Sequence, residues 1–142
     1  NKKLPTYISS FPIDKKQITE AILSNNSNFK KIIKIVHVEV RKKMNLFLKK
    51  NKNKKIIILD IPLLLENKIN RKNDILIFVE SKKIDIEKRL KKRVNFNRKL
   101  LNKFKKIQFS SSYKKRKSHF LIKNNFTKKS IKISIGNILK NI

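Results

Sequence analysis

The 142 residues contain no cysteine, no tryptophan, three prolines and a single glycine, Gly136. Without cysteine there is no disulfide framework and no thiolate metal site. His37 and His119 are the only histidines, too few for a zinc site of ordinary composition. The lone glycine excludes more: backbone amides wrap a phosphate only where glycines permit the turn, so these residues can write neither a glycine-rich phosphate loop nor a dinucleotide fingerprint. Nothing has the spacing of a Ser-His-Asp or Cys-His nucleophilic arrangement. No apolar run approaches the length of a membrane span, the longest being broken at Asp60 and Pro62. Acid is scarce too, with 9 Asp plus Glu against 39 Lys plus Arg, a net charge of +30.

Such a charge suggests nucleic-acid binding, but its make-up argues otherwise. The cations are nearly all Lys, and Lys, Asn and Ile together form about half of the chain, far from average usage. All three have codons built almost wholly from A and T, and a drifting AT-rich genome floods solvated faces with ammonium groups that have no ligand. The lysines are also spread over the whole length, while the nine Phe and two Tyr fall mostly at core-like spacing and not among the basic groups, where a stacking platform needs them. A Lys-rich nucleic-acid-binding module is therefore the alternative reading and not the first. The chain opens on Asn1 and its one Met is Met44, inside a helical pattern, so an N-terminally truncated product is expected. With no signal-like start, a cytoplasmic location is expected.

The pattern along the chain is that of an α/β protein of one domain. Asn1 to Pro12 reads as irregular, with Pro5 and Pro12 as breakers. Asp14 and Gln17 form a capping-box pattern ahead of a helix reaching about Leu23, and Ser24 to Asn28 reads as a polar turn. From Phe29 to Leu48 the apolar positions keep a period near 3.6, predicting a long amphipathic helix that ends at Asn51 to Lys54. Ile56-Ile57-Ile58-Leu59 then runs without alternation into Asp60. That predicts a strand from Lys55 to Asp60, buried on both faces as in a parallel sheet, followed by the Pro62 turn and a short helical segment. A second strand is predicted from Asp74 to Glu80, a helix capped by Ser81 and running through Arg93, and a helix from Phe96 to Gln108. A basic turn from Tyr113 to Lys117, a strand at Phe120-Leu121-Ile122 and a last helix from about Thr127 complete the order. The expected division is 1–53 helical substrate region, 54–87 sheet core, 88–117 lid, and 118–142 last strand and helix.

Ligands of parallel sheets bind at the carboxyl ends of the strands, where Asp60 and Glu66 are expected. A carboxylate closing a buried strand is costly unless solvated or paired, so a site role for Asp60 stands level with a cap on the following turn. His37 and Arg41 lie one helical turn apart and share a face, as do Arg89 and Arg93. An Arg that persists in a Lys-drifting chain suggests a planar fork that Lys cannot imitate, such as bidentate contact with phosphate. Gln108 and Lys114 suit a mobile basic flap as well as an ordinary surface.

In this order His37-x-x-x-Arg41, Asp60-Ile61-Pro62-Leu63-Leu64-Leu65-Glu66, the strand to Glu80, Arg89-x-x-x-Arg93, Gln108, Lys114 and Phe120-Leu121-Ile122-Lys123-Asn124 resemble the carboxyl-terminal two thirds of dephospho-CoA kinases. The Pro-Leu-Leu-hydrophobic-Glu motif after a strand is the most specific element. The resemblance implies part of a three-layer P-loop kinase core with a parallel sheet, a helical substrate region and a helical lid. It implies ATP, as its Mg²⁺ complex, and dephospho-CoA as ligands, and transfer of the γ-phosphoryl to the ribose 3′-hydroxyl, the last step of coenzyme A synthesis. It places His37, Arg41, Asp60, Pro62, Leu63 and Glu66 at the acceptor, and Arg89, Arg93, Lys103, Gln108, Lys114 and Asn124 at ATP or the lid, with no metal ligand and no catalytic group in these residues. The phosphate loop and the base are expected upstream, and the polypeptide by itself is expected to be inactive. Departures are Val38 where the family has Pro, Ile86 for a Gln, Lys103 for a frequent Arg, and Ser118-His119 for Ala-Asp. Another nucleotide kinase of the superfamily, or a degenerate relative, fits the same pattern less well.

Overall fold

In the computed structural model the described residues are 11–142, so most of the stretch from Asn1 to Pro12, including Pro5, lies outside them. The chain divides into two compact units, one of the described residues up to Ile69 with Arg98–Lys106, the other of Asn70–Asn97 with Ile107–Ile142.

The first unit is helical. Asp14 opens α1 (Lys15–Ser24) by accepting the Lys16 N–H at 2.9 Å, leaving one orphan donor of the first turn satisfied. The polar stretch 24–28 is not a turn as expected, because one residue suffices: Asn25 ends α1 and caps α2 (Asn26–Lys50), its Oδ1 accepting the Asn28 N–H at 2.7 Å. Asn28 is itself buried, with Nδ2 donating to Ser24 Oγ at 3.1 Å. α1 packs on α2 through Ala21, Ile22 and Phe29, all buried. Helix α4 (Arg98–Ile107) adds Phe104, whose ring meets Phe29 edge-on, centroids 5.4 Å apart and planes at 87°.

The expected strand at 55–60 is not formed. Residues 56–60 belong to no regular element, with Ile57, Leu59 and Ile61 half-buried and Ile56 and Ile58 exposed by 49% and 84%. The run has a strand's period of two, but a strand exists only through its ladder, and no ladder pairs with it among the described residues. Burial on both faces fails for the same reason. The helical segment expected after Pro62 is instead a series of turns over 62–68, with Leu63 and Lys68 in the left-handed region at φ 57° and 50°.

The second unit holds a two-stranded parallel sheet, β1 (Ile77–Glu80) beside β2 (Phe120–Lys123), in the register Ile77↔Phe120 to Glu80↔Lys123. β1 is shorter than the predicted 74–80, and its apolar run is half-open, burial alternating along it. The ladder is extended at its start by His119, whose Nδ1 accepts the Leu76 N–H at 2.9 Å while its own N–H donates to Leu76 O at 2.8 Å. Helix α6 (Lys128–Leu139) packs on β2, with Ile122 and Ile138 buried. Helix α3 (Lys83–Lys91) starts at Lys82 without a side-chain cap, so Ser81 does not cap it. The basic stretch is a helix, α5 (Ser111–Lys117), and not a turn. Ser110 Oγ accepts the Tyr113 N–H at 3.2 Å, Tyr113 packs edge-on against Phe109 at 4.7 Å, and the cations gather at the favourable carboxyl end.

Candidate functional site

Two constellations carry the predicted residues, one in each unit. In the first, α2 presents His37 and Arg41 to the turn that follows Pro62, and a residue outside the predicted set joins them: Asn67. Its Nδ2 donates to Leu63 O at 2.8 Å and contacts His37 Nε2 at 3.0 Å, and its backbone oxygen accepts from Arg41 Nη2 at 2.9 Å. Its backbone N–H also reaches Leu63 O, at 3.1 Å. Since an amide nitrogen only donates, His37 Nε2 must be the bare acceptor, and the ring is neutral with its proton on Nδ1. Leu63 and Glu66 are half-buried here, while Asp60 and Pro62 are exposed. A sequence signal for Asn67 exists only in hindsight, as an amide-bearing residue next to a left-handed position.

Burial lowers the His37 pKa below its ordinary 6.5, and the Arg41 charge pushes it the same way. The neutral ring is thus the folded form. Its contribution to stability is complete above the unfolded value of 6.5 and is lost as pH falls from there towards the lowered folded value. Denaturant midpoints should accordingly drop on acidification through that window, and His37→Gln should flatten the slope; equal slopes in parent and variant would contradict the assignment.

Lys103 also belongs to the first unit. Its ammonium donates to Ile22 O at 2.6 Å, near the carboxyl end of α1, and lies 5.6 Å from the Phe29 ring centroid, so it ties α4 to α1.

In the second unit a cleft of about 900 Å³ opens at the carboxyl ends of β1 and β2, between Glu80, Lys82, Lys123, Asn124 and Ser130. This is where open parallel sheets receive ligands, and the volume suits a nucleoside-sized molecule. Asn124 extends the ladder, its N–H donating to Glu80 O at 2.7 Å, and its Oδ1 accepts the Phe126 N–H at 2.8 Å. Asn125 Oδ1 accepts from the Thr127 N–H at 3.1 Å, from Thr127 Oγ1 at 2.8 Å and from Ser130 Oγ. That one oxygen stands in for the cap that Thr127 does not provide to α6. Arg89 stacks its guanidinium over the Phe126 ring at 4.5 Å, which places it beside the Asn124 turn. Glu80 is matched by Lys115 at 3.2 Å. The cleft therefore carries amides beside charges of both signs, and can read the polar edge of a base. Arg93 and Gln108 are exposed and Lys114 half-buried, and none of the three lines the cleft.

A relative from Wolbachia pipientis wMel named dephospho-CoA kinase is 27% identical over 143 aligned positions, covering 99% of this chain and 73% of that protein. One of the same name from Fusobacterium nucleatum subsp. nucleatum is 33% identical over 116 positions, 80% of this chain and 58% of that protein. A third, from Bartonella henselae, is 25% identical and covers 98% of this chain and 74% of its own length. The family model described as dephospho-CoA kinase matches residues 11–130, which include both constellations, and the chain belongs to the dephospho-CoA kinase family.

Proposed function

We propose that the chain supplies the acceptor-binding and base-recognising parts of a kinase that moves the γ-phosphoryl of ATP to the ribose 3′-hydroxyl of dephospho-CoA. The observation that carries this reading is the meeting of two distant motifs, the His37–Arg41 helix face and the Pro62–Glu66 turn, at Asn67. The mixed α/β architecture with a parallel strand pair agrees with part of the P-loop kinase fold.

Phosphoryl transfer is catalysed chiefly by placing donor and acceptor in line and neutralising charge on the moving oxygens. On this reading Asp60, Pro62, Leu63 and Glu66 form the wall that orients the acceptor ribose, and Arg41, exposed and with one arm on Asn67, offers its other donors to the acceptor's phosphates. Asn124 reads the adenine of ATP from the cleft at the strand ends. Arg89, held flat by Phe126, stands with Arg93 at the base of a lid that takes in Gln108 and Lys114. ATP enters with Mg²⁺ as the substrate complex. No group of these residues is assigned to the attack itself; the glycine-rich loop and the general base belong to other residues of a complete kinase. The assigned location is the cytoplasm; among the described residues no helix is long and apolar enough to cross a membrane.

Ligand-induced stabilisation tests the reading. Dephospho-CoA should raise the melting temperature of the protein by a few degrees at concentrations about a hundredfold above Kd, with AMP well behind it. Equal shifts by nucleoside monophosphates would move the chain to another branch of the kinases. Tight RNA or DNA binding with a steep salt slope would replace the reading by the nucleic-acid one.

A further inference from the structure

The turn 62–68 is held in a conformation that its own residues disfavour. Leu63 and Lys68, at its two ends, are both left-handed without being glycine, and such residues persist only where their surroundings over-determine them. The segment before the turn, 56–60, pairs with no strand among the described residues. Inside the turn, Lys68 N–H donates to Leu65 O and Ile69 N–H to Leu64 O, each at 3.1 Å. Four further bonds pass through Asn67: its backbone N–H and its Nδ2 each donate to Leu63 O, Nδ2 contacts His37, and its backbone oxygen accepts from Arg41. Both N–H bonds of one amide are thus engaged, one on the turn and one on α2. Asp offers no donor and Ser one, while Gln places its amide a methylene too far.

We propose that Asn67 is the positioning residue of the acceptor turn: it locks residues 62–66 in the geometry that receives dephospho-CoA, and His37 acts on the ligand through Asn67 and not by contact. The inference rests on the reading of this turn as the acceptor wall. His37, with Nε2 turned to Asn67, is a strut. Its proton sits on Nδ1, the nitrogen that does not meet Asn67.

The test uses nitrogen NMR of His37 and calorimetric titration of dephospho-CoA, on the parent chain, Asn67→Asp and Asn67→Ala, at a temperature where circular dichroism reports each as folded. In the parent at pH 8, His37 Nε2 is expected to resonate as an unprotonated nitrogen. In Asn67→Asp the carboxylate can only accept, so the ring proton should move to Nε2. Dephospho-CoA affinity should fall about tenfold in both variants. A merely structural role would lower the melting temperature and leave the affinity of the folded protein alone. Binding within about twofold of the parent for either folded variant, or a protonated Nε2 in the parent at pH 8, overturns the proposal. The parent spectrum needs no variant and decides the lock even if both substitutions unfold the chain. A parent that binds no dephospho-CoA refutes the functional reading alone, and the tautomers then decide the lock by themselves.

Discussion

Assayed by itself with ATP, Mg²⁺ and dephospho-CoA, the 142-residue polypeptide is expected to form no CoA above the uncatalysed background. The reason is chemical. A triphosphate is held for transfer by a cradle of backbone amides whose turn needs several glycines, and the one glycine available lies within α6. A Cβ added at Gly136 would meet nothing within 4 Å, so no close backbone approach is built there either. The cleft at the strand ends does not substitute, since no glycine is among the residues that line it. Kinase-type rate enhancements are about a millionfold or more, and positioning of the phosphates is most of what the protein contributes. Coupled detection of ADP, with CoA quantified by mass, provides the measurement. Turnover that scales with this polypeptide would show that phosphate positioning arises here without a glycine-rich loop, and would end the division of labour proposed above.

The largest stability effect is expected at Phe29. Its side chain is 7% exposed, meets Phe104 edge-on and carries the Lys103 ammonium near its face. Phe29→Ala should cost about 3–5 kcal/mol, a large share of the ~5–15 kcal/mol that holds a typical domain folded. It should shift the urea midpoint of the first unit far more than the same change at exposed Phe47 or Phe11. The loss reaches function because α1, α2 and α4 meet at this ring, and α2 carries His37 and Arg41. A cost below about 1 kcal/mol, the range of a surface substitution, would mean that the three helices do not share this contact. Phe29→Leu, which keeps most of the volume, separates loss of packing from loss of the aromatic edge.

How much of this could be read in advance varies with the interaction involved. The cap at Asp14, the long helix α2 and the β2–α6 succession were legible because each rests on residues close in sequence, although Val36 and Phe47 of the α2 stripe are exposed. The helix at 111–117 was not, since its signal is a serine cap and good helix formers rather than an apolar stripe. The run 55–60 was over-read: its composition fits a central strand, but no ladder forms on it among the described residues. In the candidate site, His37, Arg41 and Leu63 were picked out and are brought together, whereas Asn67, which joins them, carries no signature of its own.

By itself the sequence determined most of the helices, the parallel α/β plan and, by its single glycine and lack of cysteine, the chemistries that these residues cannot perform. Such features depend on period, capping and residue type, which are properties of neighbours in the chain. Only the tertiary structure decided which apolar runs gained a ladder, which residues took the left-handed conformation, and that Asn67 links its turn to a helix 26 to 30 positions away, by its backbone oxygen to Arg41 and its side-chain amide to His37. Those outcomes depend on partners distant in sequence. A hydrogen bond's worth is set by where both its ends are held, and no local pattern carries that information.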